Sequence, residues 1–308
     1  MATRSLATLD VSTALPTRVA CSTTFSDYWA LTKPEVNFLI VITTFAGFYL
    51  ARAAGWRDFP FWLSFNALLG TLLVASGTGT LNQYLEHRFD AQMRRTARRP
   101  LAAGRLQPAA VLWFGLALSV VGSVYLAVAV NVLASLLAMA TLLSYLFLYT
   151  PLKRKTPLCT LVGAFPGAMP PLIGWAAASG KLNFQAWTLY AVLFLWQFPH
   201  FMAIAWMYRE DYARAGYLVL PPSPSMRARL VHLQTVLPLL ALVPLSLLPG
   251  LMGEAKFYLI GALLLGAGFL YYAAQFVVHR SNSEARRLLT ASIIYLPALF
   301  VVMVLARG

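Results

Sequence analysis

The sequence predicts an all-α polytopic membrane protein with nine transmembrane helices around a central cavity. Three observations support this fold class: 59% of the 308 residues are hydrophobic, only 11% are charged, and the apolar residues fall into long uncharged runs. An ordinary soluble domain carries about 25% charged residues, and a membrane-spanning helix needs about 20 consecutive apolar residues. Soluble domains, disordered chains and disulfide-rich scaffolds are therefore excluded, and the apolar content leaves room for about nine spans.

Nine apolar stretches follow one another along the chain. They cover residues 36–51, 61–82, 109–130, 132–150, 158–178, 186–206, 230–252, 257–278 and 289–306. Thr32 and Glu35 precede the first stretch with the spacing of a capping box, and Pro34 suits the first helical turn. Residues 1–30 lack the apolar core of a signal peptide. We interpret them as a polar N-terminal arm before a single domain, residues 31–308.

The basic residues predict the orientation of the chain. With nine spans, 19 of the 24 Lys and Arg residues fall on the side of the N-terminus, in the arm and in four long connections. Because Lys and Arg are enriched in cytoplasmic connections, we expect a cytoplasmic N-terminus and an external C-terminus. This asymmetry accounts for most of the net charge of +14, so no nucleic-acid partner is expected.

Two acidic clusters follow the second and sixth spans and hold Glu86, Asp90, Glu210 and Asp211. Asn82 precedes the first two acids by the same four-residue step, which on a helix keeps three oxygen-bearing side chains within an arc of about 80°. Carboxylates combined with a substrate phosphate are what Mg²⁺ requires. The clusters lie about 124 residues apart, which predicts two four-helix pseudo-repeats with a site between them.

Arginines follow the first acidic cluster directly. Residues 93–106 contain Arg94, Arg95, Arg98, Arg99 and Arg105. Arginine suits multidentate contact with phosphate, so the two patterns together suggest a diphosphate held by Mg²⁺ on one side and guanidinium groups on the other. The alternatives are a solvated helix end for the acids and a lipid-headgroup patch for the arginines. Lys153 and Arg154, after the fourth span, either reach the same cavity or anchor the helix at the interface.

These residues resemble the UbiA superfamily of intramembrane prenyltransferases. The segments that carry the resemblance are LTKPEV (31–36), NQYLEHRFDAQMRRTARRPLAAGRL (82–106), YTPLKRKTP (149–157), GAMPPLIGW (167–175) and WQFPHFMAIAW (196–206). The resemblance covers the chain from Leu31 to about Arg307. Within the superfamily the Pro-His-Phe of residues 199–201 is similar to the branch that acts on haem.

The resemblance implies a Mg²⁺-dependent transfer of a farnesyl group from farnesyl diphosphate to the 2-vinyl group of haem b, with addition of water. The product would be haem O, which a downstream haem A synthase would use for the cytochrome oxidase cofactor. We expect a multi-pass protein surrounded by lipid, with its active site on the cytoplasmic side. The N-terminal arm, which contains Asp10 and Asp27 and so differs from a transit peptide, favours the bacterial inner membrane over the alternative, the mitochondrial inner membrane.

Individual residues can be matched to the superfamily motifs. The catalytic and metal-binding set is Asn82, Glu86, Asp90 and Asp211, and the substrate-binding set is Arg95, Arg98, Lys153, Arg154 and His200. Met207 stands where many members have a further acid, which leaves the number of Mg²⁺ ions open. His200 either ligates the haem iron, holds a propionate, or satisfies backbone groups freed by Pro199. An aromatic quinone precursor is the alternative acceptor, and a membrane transporter is the alternative class.

Overall fold

The computed structural model describes residues 25–52, 58–251 and 256–306, and within them regular structure is helical. Residues 1–24, most of the predicted arm, lie outside the described residues. The helices are α1 Phe25–Leu31, α2 Pro34–Leu50, α3 Phe61–Asp90, α4 Pro108–Ala129, α5 Val132–Leu143, α6 Thr150–Leu152, α7 Cys159–Gly167, α8 Pro170–Ser179, α9 Phe184–Met207, α10 Arg209–Arg214, α11 Pro224–Leu251, α12 Lys256–His279 and α13 Asn282–Ala306.

Eight candidate membrane spans occur in the described part of the chain. One of them joins α5 to α6 through a π-helical segment, Ser144–Tyr149, and another combines α7 with α8. The first predicted span corresponds to α2, which is apolar but has only 17 residues, about 25 Å of helix against a hydrocarbon core of about 30 Å. An all-helical multi-pass protein is therefore confirmed, and a ninth crossing by α2 stays a prediction.

The predicted capping box at the start of α2 is wrong. Lys33, with a φ of 53°, is the N-cap residue, and α2 starts without a side-chain cap. Thr32 instead donates its hydroxyl to the Trp29 carbonyl at 2.8 Å. In this tight turn Thr32 therefore bonds back to α1 instead of capping α2. Pro34 occupies the first turn of α2, as predicted.

Helix α3 extends further than its apolar run. The predicted span stops at residue 82, whereas the helix continues to Asp90. Asn82, Glu86 and Asp90 are all buried on it. The four-residue spacing therefore places three polar side chains on the inward face of one helix, as predicted.

The span from α5 to α6 contains a wide turn immediately before Lys153. Pro151 lacks an N–H and its ring would collide with the carbonyl four residues earlier in an α-helix. The π-helical segment Ser144–Tyr149 precedes it, and the Thr150 hydroxyl donates to the Tyr145 carbonyl at 2.9 Å. Such wide turns often occur at functional sites, and this one delivers Lys153 to the end of α3.

Helices α2 and α8 approach each other through glycine. A Cβ at Gly174 would overlap the Thr44 carbonyl, and one at Gly47 would overlap the Pro171 carbonyl. Small residues that permit close backbone contact are the usual means of helix association inside a membrane. This contact joins the predicted first and fifth spans.

Gly174→Ala is expected to lower the free energy of unfolding by about 1–3 kcal/mol, because the added methyl group would force α2 and α8 apart. Gly268→Ala is the matched control, since a Cβ there meets nothing within 4 Å. Thermal unfolding of the purified protein in detergent measures both changes. Equal unfolding temperatures for the two variants would contradict the proposed close contact.

Candidate active site

Long-range polar contacts gather several connections at one end of the helical bundle, which we call the polar end. Lys153, after α6, and Tyr217, after α10, both reach Glu86 on α3. Arg95, after α3, contacts Asp211 on α10. These contacts join the two acidic segments that the sequence places about 124 residues apart.

Glu86 lies at the centre of the polar end. Its two carboxylate oxygens accept hydrogen bonds from Lys153 Nζ, each at 3.0 Å. The Tyr217 hydroxyl donates to Oε1 at 2.9 Å, and Asn82 Nδ2 donates to Oε2 at 2.9 Å. Asn82 in turn accepts from Lys33 Nζ at 3.0 Å. A buried carboxylate with this many donors is held in its charged form.

Asp90 forms the second charged group of α3. Its Oδ2 accepts from Arg99 Nη1 at 2.7 Å, and its backbone carbonyl accepts from the Thr96 hydroxyl at 2.8 Å. Asp90 is almost fully buried, whereas Arg99 is partly accessible. The chain after α3 therefore folds back so that an arginine neutralises the carboxylate that ends the helix.

Asp211 is buried at the start of α10 but does not join the α3 carboxylates directly. Its Oδ2 accepts from the Arg95 backbone N–H at 3.3 Å, and its Oδ1 accepts from Arg214 Nη1 at 3.1 Å. Its sequence neighbour Glu210 is 79% exposed. The acid predicted to act therefore faces inward, and its neighbour faces outward.

The predicted arginines occupy different positions. Arg95 is exposed, stacks over the Tyr208 ring at 4.9 Å and donates to the Tyr212 hydroxyl at 3.5 Å. Arg154 is exposed over the Phe89 ring at 4.1 Å. Arg98 is exposed, and its backbone carbonyl accepts a hydrogen bond from Arg105 Nη2 at 3.2 Å; in the part of the chain that the structure describes, its side chain makes no ion pair. Arg95 therefore lies beside α10, which carries Asp211, and Arg154 lies beside the last turn of α3.

Three basic side chains, Lys33, Lys153 and Arg99, surround the two α3 carboxylates, Glu86 and Asp90. Burial and the nearby Arg99 and Lys153 charges lower the pKa of Lys33 to about 7. Burial alone would lower the pKa of Lys153, but the Glu86 carboxylate holds it well above its ordinary value. Lys153 and Arg99 therefore balance the two carboxylates, and the partly protonated Lys33 adds a small positive excess beside Asn82, which suits an incoming polyanion.

Sequence reasoning missed several of these partners. Lys33, Thr150 and Tyr217 were not predicted as site residues, and Arg99 was grouped with the other arginines. Lys33 lies 49 residues from Asn82, and Tyr217 lies 131 residues from Glu86. The spacing of neighbouring residues cannot predict contacts between residues that lie so far apart in the sequence. The available signal was that Lys33 lies in LTKPEV (31–36) and Thr150 in YTPLKRKTP (149–157), two of the segments that carry the family resemblance.

The α3 side chains fit a Mg²⁺ ion that is shared with a substrate. Within the described ranges, no group of three or more His, Cys, Asp or Glu residues forms a complete metal cage. Mg²⁺ usually needs only one or two carboxylates plus substrate phosphates. Glu86, Asp90 and the Asn82 amide offer hard oxygen donors on one helix face, so the donor set suits that ion.

His200 lies on α9 away from the α3 carboxylates. Its Nδ1 is 2.8 Å from the Ser292 hydroxyl on α13, and its ring stacks on Trp196 at a centroid distance of 4.6 Å. His200 Nδ1 therefore bonds to a side chain of the neighbouring helix α13 rather than to backbone groups freed by Pro199.

Tyr217→Phe is expected to raise the KM for a diphosphate substrate about 10- to 100-fold, since it removes one hydrogen bond to a buried charge, worth about 1.5–3 kcal/mol. The phenol has its pKa raised by burial and by the Glu86 carboxylate, so it stays a donor at neutral pH. The substrate KM in a prenyl transfer assay measures the effect. An unchanged KM would show that the hydroxyl is dispensable.

Curated relatives match nearly the whole chain. A protoheme IX farnesyltransferase of Solibacter usitatus is 48% identical over 291 residues, covering 91% of this chain and 98% of the relative. A protein of the same name from Koribacter versatilis is 42% identical over 289 residues, covering 91% and 93%.

Solved structures share the fold at low identity. Digeranylgeranylglyceryl phosphate synthase superposes with a TM-score of 0.75 at 17% identity, covering 92% of this chain and 98% of that one. A UbiA homologue from Archaeoglobus fulgidus, bound to GPP and Mg²⁺, superposes with a TM-score of 0.63 at 16% identity, covering 90% and 99%. The model of the UbiA prenyltransferase family matches residues 40–301. The chain therefore belongs to the UbiA prenyltransferase family.

Proposed function

We propose that this prenyltransferase transfers a farnesyl group from farnesyl diphosphate to the 2-vinyl group of haem b, with addition of water, to give haem O. The observation that carries the proposal is the buried face formed by Asn82, Glu86 and Asp90, surrounded by three basic side chains at the polar end. The names of the relatives, protoheme IX farnesyltransferase, support haem as the acceptor.

Asn82, Glu86 and Asp90 are proposed to hold Mg²⁺ together with the diphosphate, and Asp211 is proposed to contribute the carboxylate of the second motif. The UbiA homologue bound to GPP and Mg²⁺ supports use of this ion in the family. When bound, Mg²⁺ would supply a Lewis acid that stabilises charge on the leaving group. Met207 leaves open whether the second motif holds an ion of its own.

Basic side chains are proposed to bind the diphosphate. Lys153 and Arg99 already neutralise Glu86 and Asp90, so they would turn toward the diphosphate as the metal takes over the carboxylates. Arg95 and Arg154 would guide the anion in. Arg98 stays a proposed substrate-binding residue, although its side chain is exposed.

In the proposed reaction the allylic C–O bond breaks and diphosphate leaves with the electron pair. The terminal carbon of the haem vinyl group attacks the farnesyl cation, and the new cation beside the porphyrin is captured by water, which loses a proton. Positive side chains at the polar end would stabilise the departing charge. Aromatic rings such as Tyr149, whose ring lies 4.6 Å from Lys153 Nζ, would exclude water until the bond forms.

His200 is proposed to bind the haem substrate. His200 is a residue of the membrane-spanning helix α9. A polar side chain within the hydrocarbon region is energetically costly, so it indicates a functional site.

We also propose that α2 forms a ninth span, that the spans surround a central cavity in two pseudo-repeats, and that residues 31–308 form one domain. The protein would lie in a bacterial inner membrane, with the polar end on the cytoplasmic side. A haem A synthase would receive the product.

A competition assay tests the acceptor. Membranes containing the protein would receive farnesyl diphosphate, Mg²⁺, haem b and 4-hydroxybenzoate, and mass spectrometry would identify the prenylated product. We expect haem carrying farnesyl plus water. Prenylated 4-hydroxybenzoate with unmodified haem would instead support the quinone-precursor alternative. Membership of a prenyltransferase family leaves the transporter alternative without support.

A further inference from the structure

The environment of His200 specifies which of its nitrogens carries the proton. Ser292 Oγ lies 2.6 Å from the Leu289 carbonyl and 2.8 Å from His200 Nδ1. A hydroxyl has one proton, and a carbonyl oxygen at 2.6 Å only accepts. The Ser292 proton therefore points to Leu289, and the hydroxyl oxygen accepts a proton from His200 Nδ1.

The other ring nitrogen is left as an acceptor. In the part of the chain that the structure describes, no hydrogen bond to His200 Nε2 is formed, and this atom is not one of the fully buried side-chain atoms that lack a partner, so part of its surface is accessible. The ring is half-buried. Nε2 thus carries a free lone pair that faces accessible space.

A second contact fixes the plane of the ring. Trp196 stacks on His200 with an interplanar angle of 26°, and its Nε1 donates to the Ser292 backbone carbonyl at 2.8 Å. Trp196 and Ser292 are both buried. Ser292 therefore contacts the two stacked rings, His200 through its hydroxyl and Trp196 through its backbone carbonyl.

We infer that Ser292 is a positioning residue that presets His200 Nε2 to ligate the iron of the haem substrate; this inference rests on the proposed function. Metal-binding histidines typically donate their second ring N–H to a neighbouring oxygen, which fixes the tautomer and raises the basicity of the ligand. The Ser292 hydroxyl supplies that oxygen. The haem would be held by its iron from α9, while the polar end binds the diphosphate.

Resonance Raman spectra of ferrous haem b bound to the purified protein, without farnesyl diphosphate, test the inference. We expect an iron–histidine stretching band that is lost in His200→Ala. In Ser292→Ala the band should shift to lower frequency, because Nδ1 loses its acceptor, and haem affinity should fall about 10- to 100-fold. Ser292→Thr, which keeps the hydroxyl, should retain the wild-type band.

Ser246→Ala is the matched control. Ser246 is fully buried on α11 and donates to the carbonyl three residues earlier at 2.7 Å, as Ser292 does. It should change neither the band nor the affinity. An unchanged band and affinity in Ser292→Ala would overturn the inference, as would the absence of any band that His200→Ala removes. If the wild-type protein still farnesylates haem in that case, the proposed function stands; if it does not, the proposed function fails separately.

Discussion

Asp90→Asn is expected to reduce prenyl transfer by about 100-fold or more, the scale of losing one group that stabilises charge in a transition state. Asn keeps the shape of Asp but removes the negative charge at the end of the α3 face. In the structure this charge is paired with Arg99 at 2.7 Å. Both the proposed metal ligand and the partner that orients Arg99 would therefore be lost. The rate of product formation at saturating substrate measures the effect.

Asp27→Asn is the matched control for this change. Asp27 is also a buried aspartate in an ion pair with an arginine, Arg105, at 3.0 Å, but it lies on α1, outside the α3 face. Both variants lose a buried carboxylate, and both are expected to lower thermal stability. Only Asp90→Asn should lose activity. Equal activity losses in the two variants would mean that Asp90 acts through stability alone.

Lys153→Met is expected to reduce kcat/KM for the prenyl diphosphate by about 100-fold. Met has an unbranched apolar side chain like the stem of Lys, but it lacks the ammonium that contacts both Glu86 oxygens and lies over the Tyr149 ring. Glu86 would keep its bonds from Tyr217 and Asn82, so the site should remain assembled. The loss would then come from binding and stabilising the diphosphate.

Lys155→Met provides the comparison, since Lys155 lies two residues later and is exposed. Steady-state kinetics over a range of prenyl diphosphate concentrations would compare the two variants. Lys155→Met should have a kcat/KM close to that of the wild-type protein. If both variants lose the same activity, the positive charge of this connection acts only by general attraction, and no specific role for Lys153 remains.

The α3 face could be predicted because helical periodicity is fixed. Asn82, Glu86 and Asp90 repeat every four residues, and any helix through them places them together. The same regularity does not extend past Asp90, where the chain leaves the helix. Which arginine returns to Asp90 depends on the turns of residues 91–107, and the structure selects Arg99 rather than Arg98.

Contacts between distant segments could not be read from spacing. Lys33 and Tyr217 contact the α3 face because helix packing brings the connections that carry them to the polar end. The predicted capping box at the start of α2 is wrong for a related reason. In the tight turn between α1 and α2, the Thr32 hydroxyl donates to the Trp29 carbonyl of α1 and so does not cap α2. Helix α1 was not predicted because it is short and contains no long apolar run.

The most direct test of the account measures haem product and inorganic diphosphate together. Purified protein in lipid nanodiscs would receive haem b and farnesyl diphosphate, with Mg²⁺ or with a chelator. The account predicts equal amounts of diphosphate and of haem carrying farnesyl plus water, formed only when both substrates and Mg²⁺ are present. Diphosphate release without modified haem, or modified haem in the presence of the chelator, would contradict it.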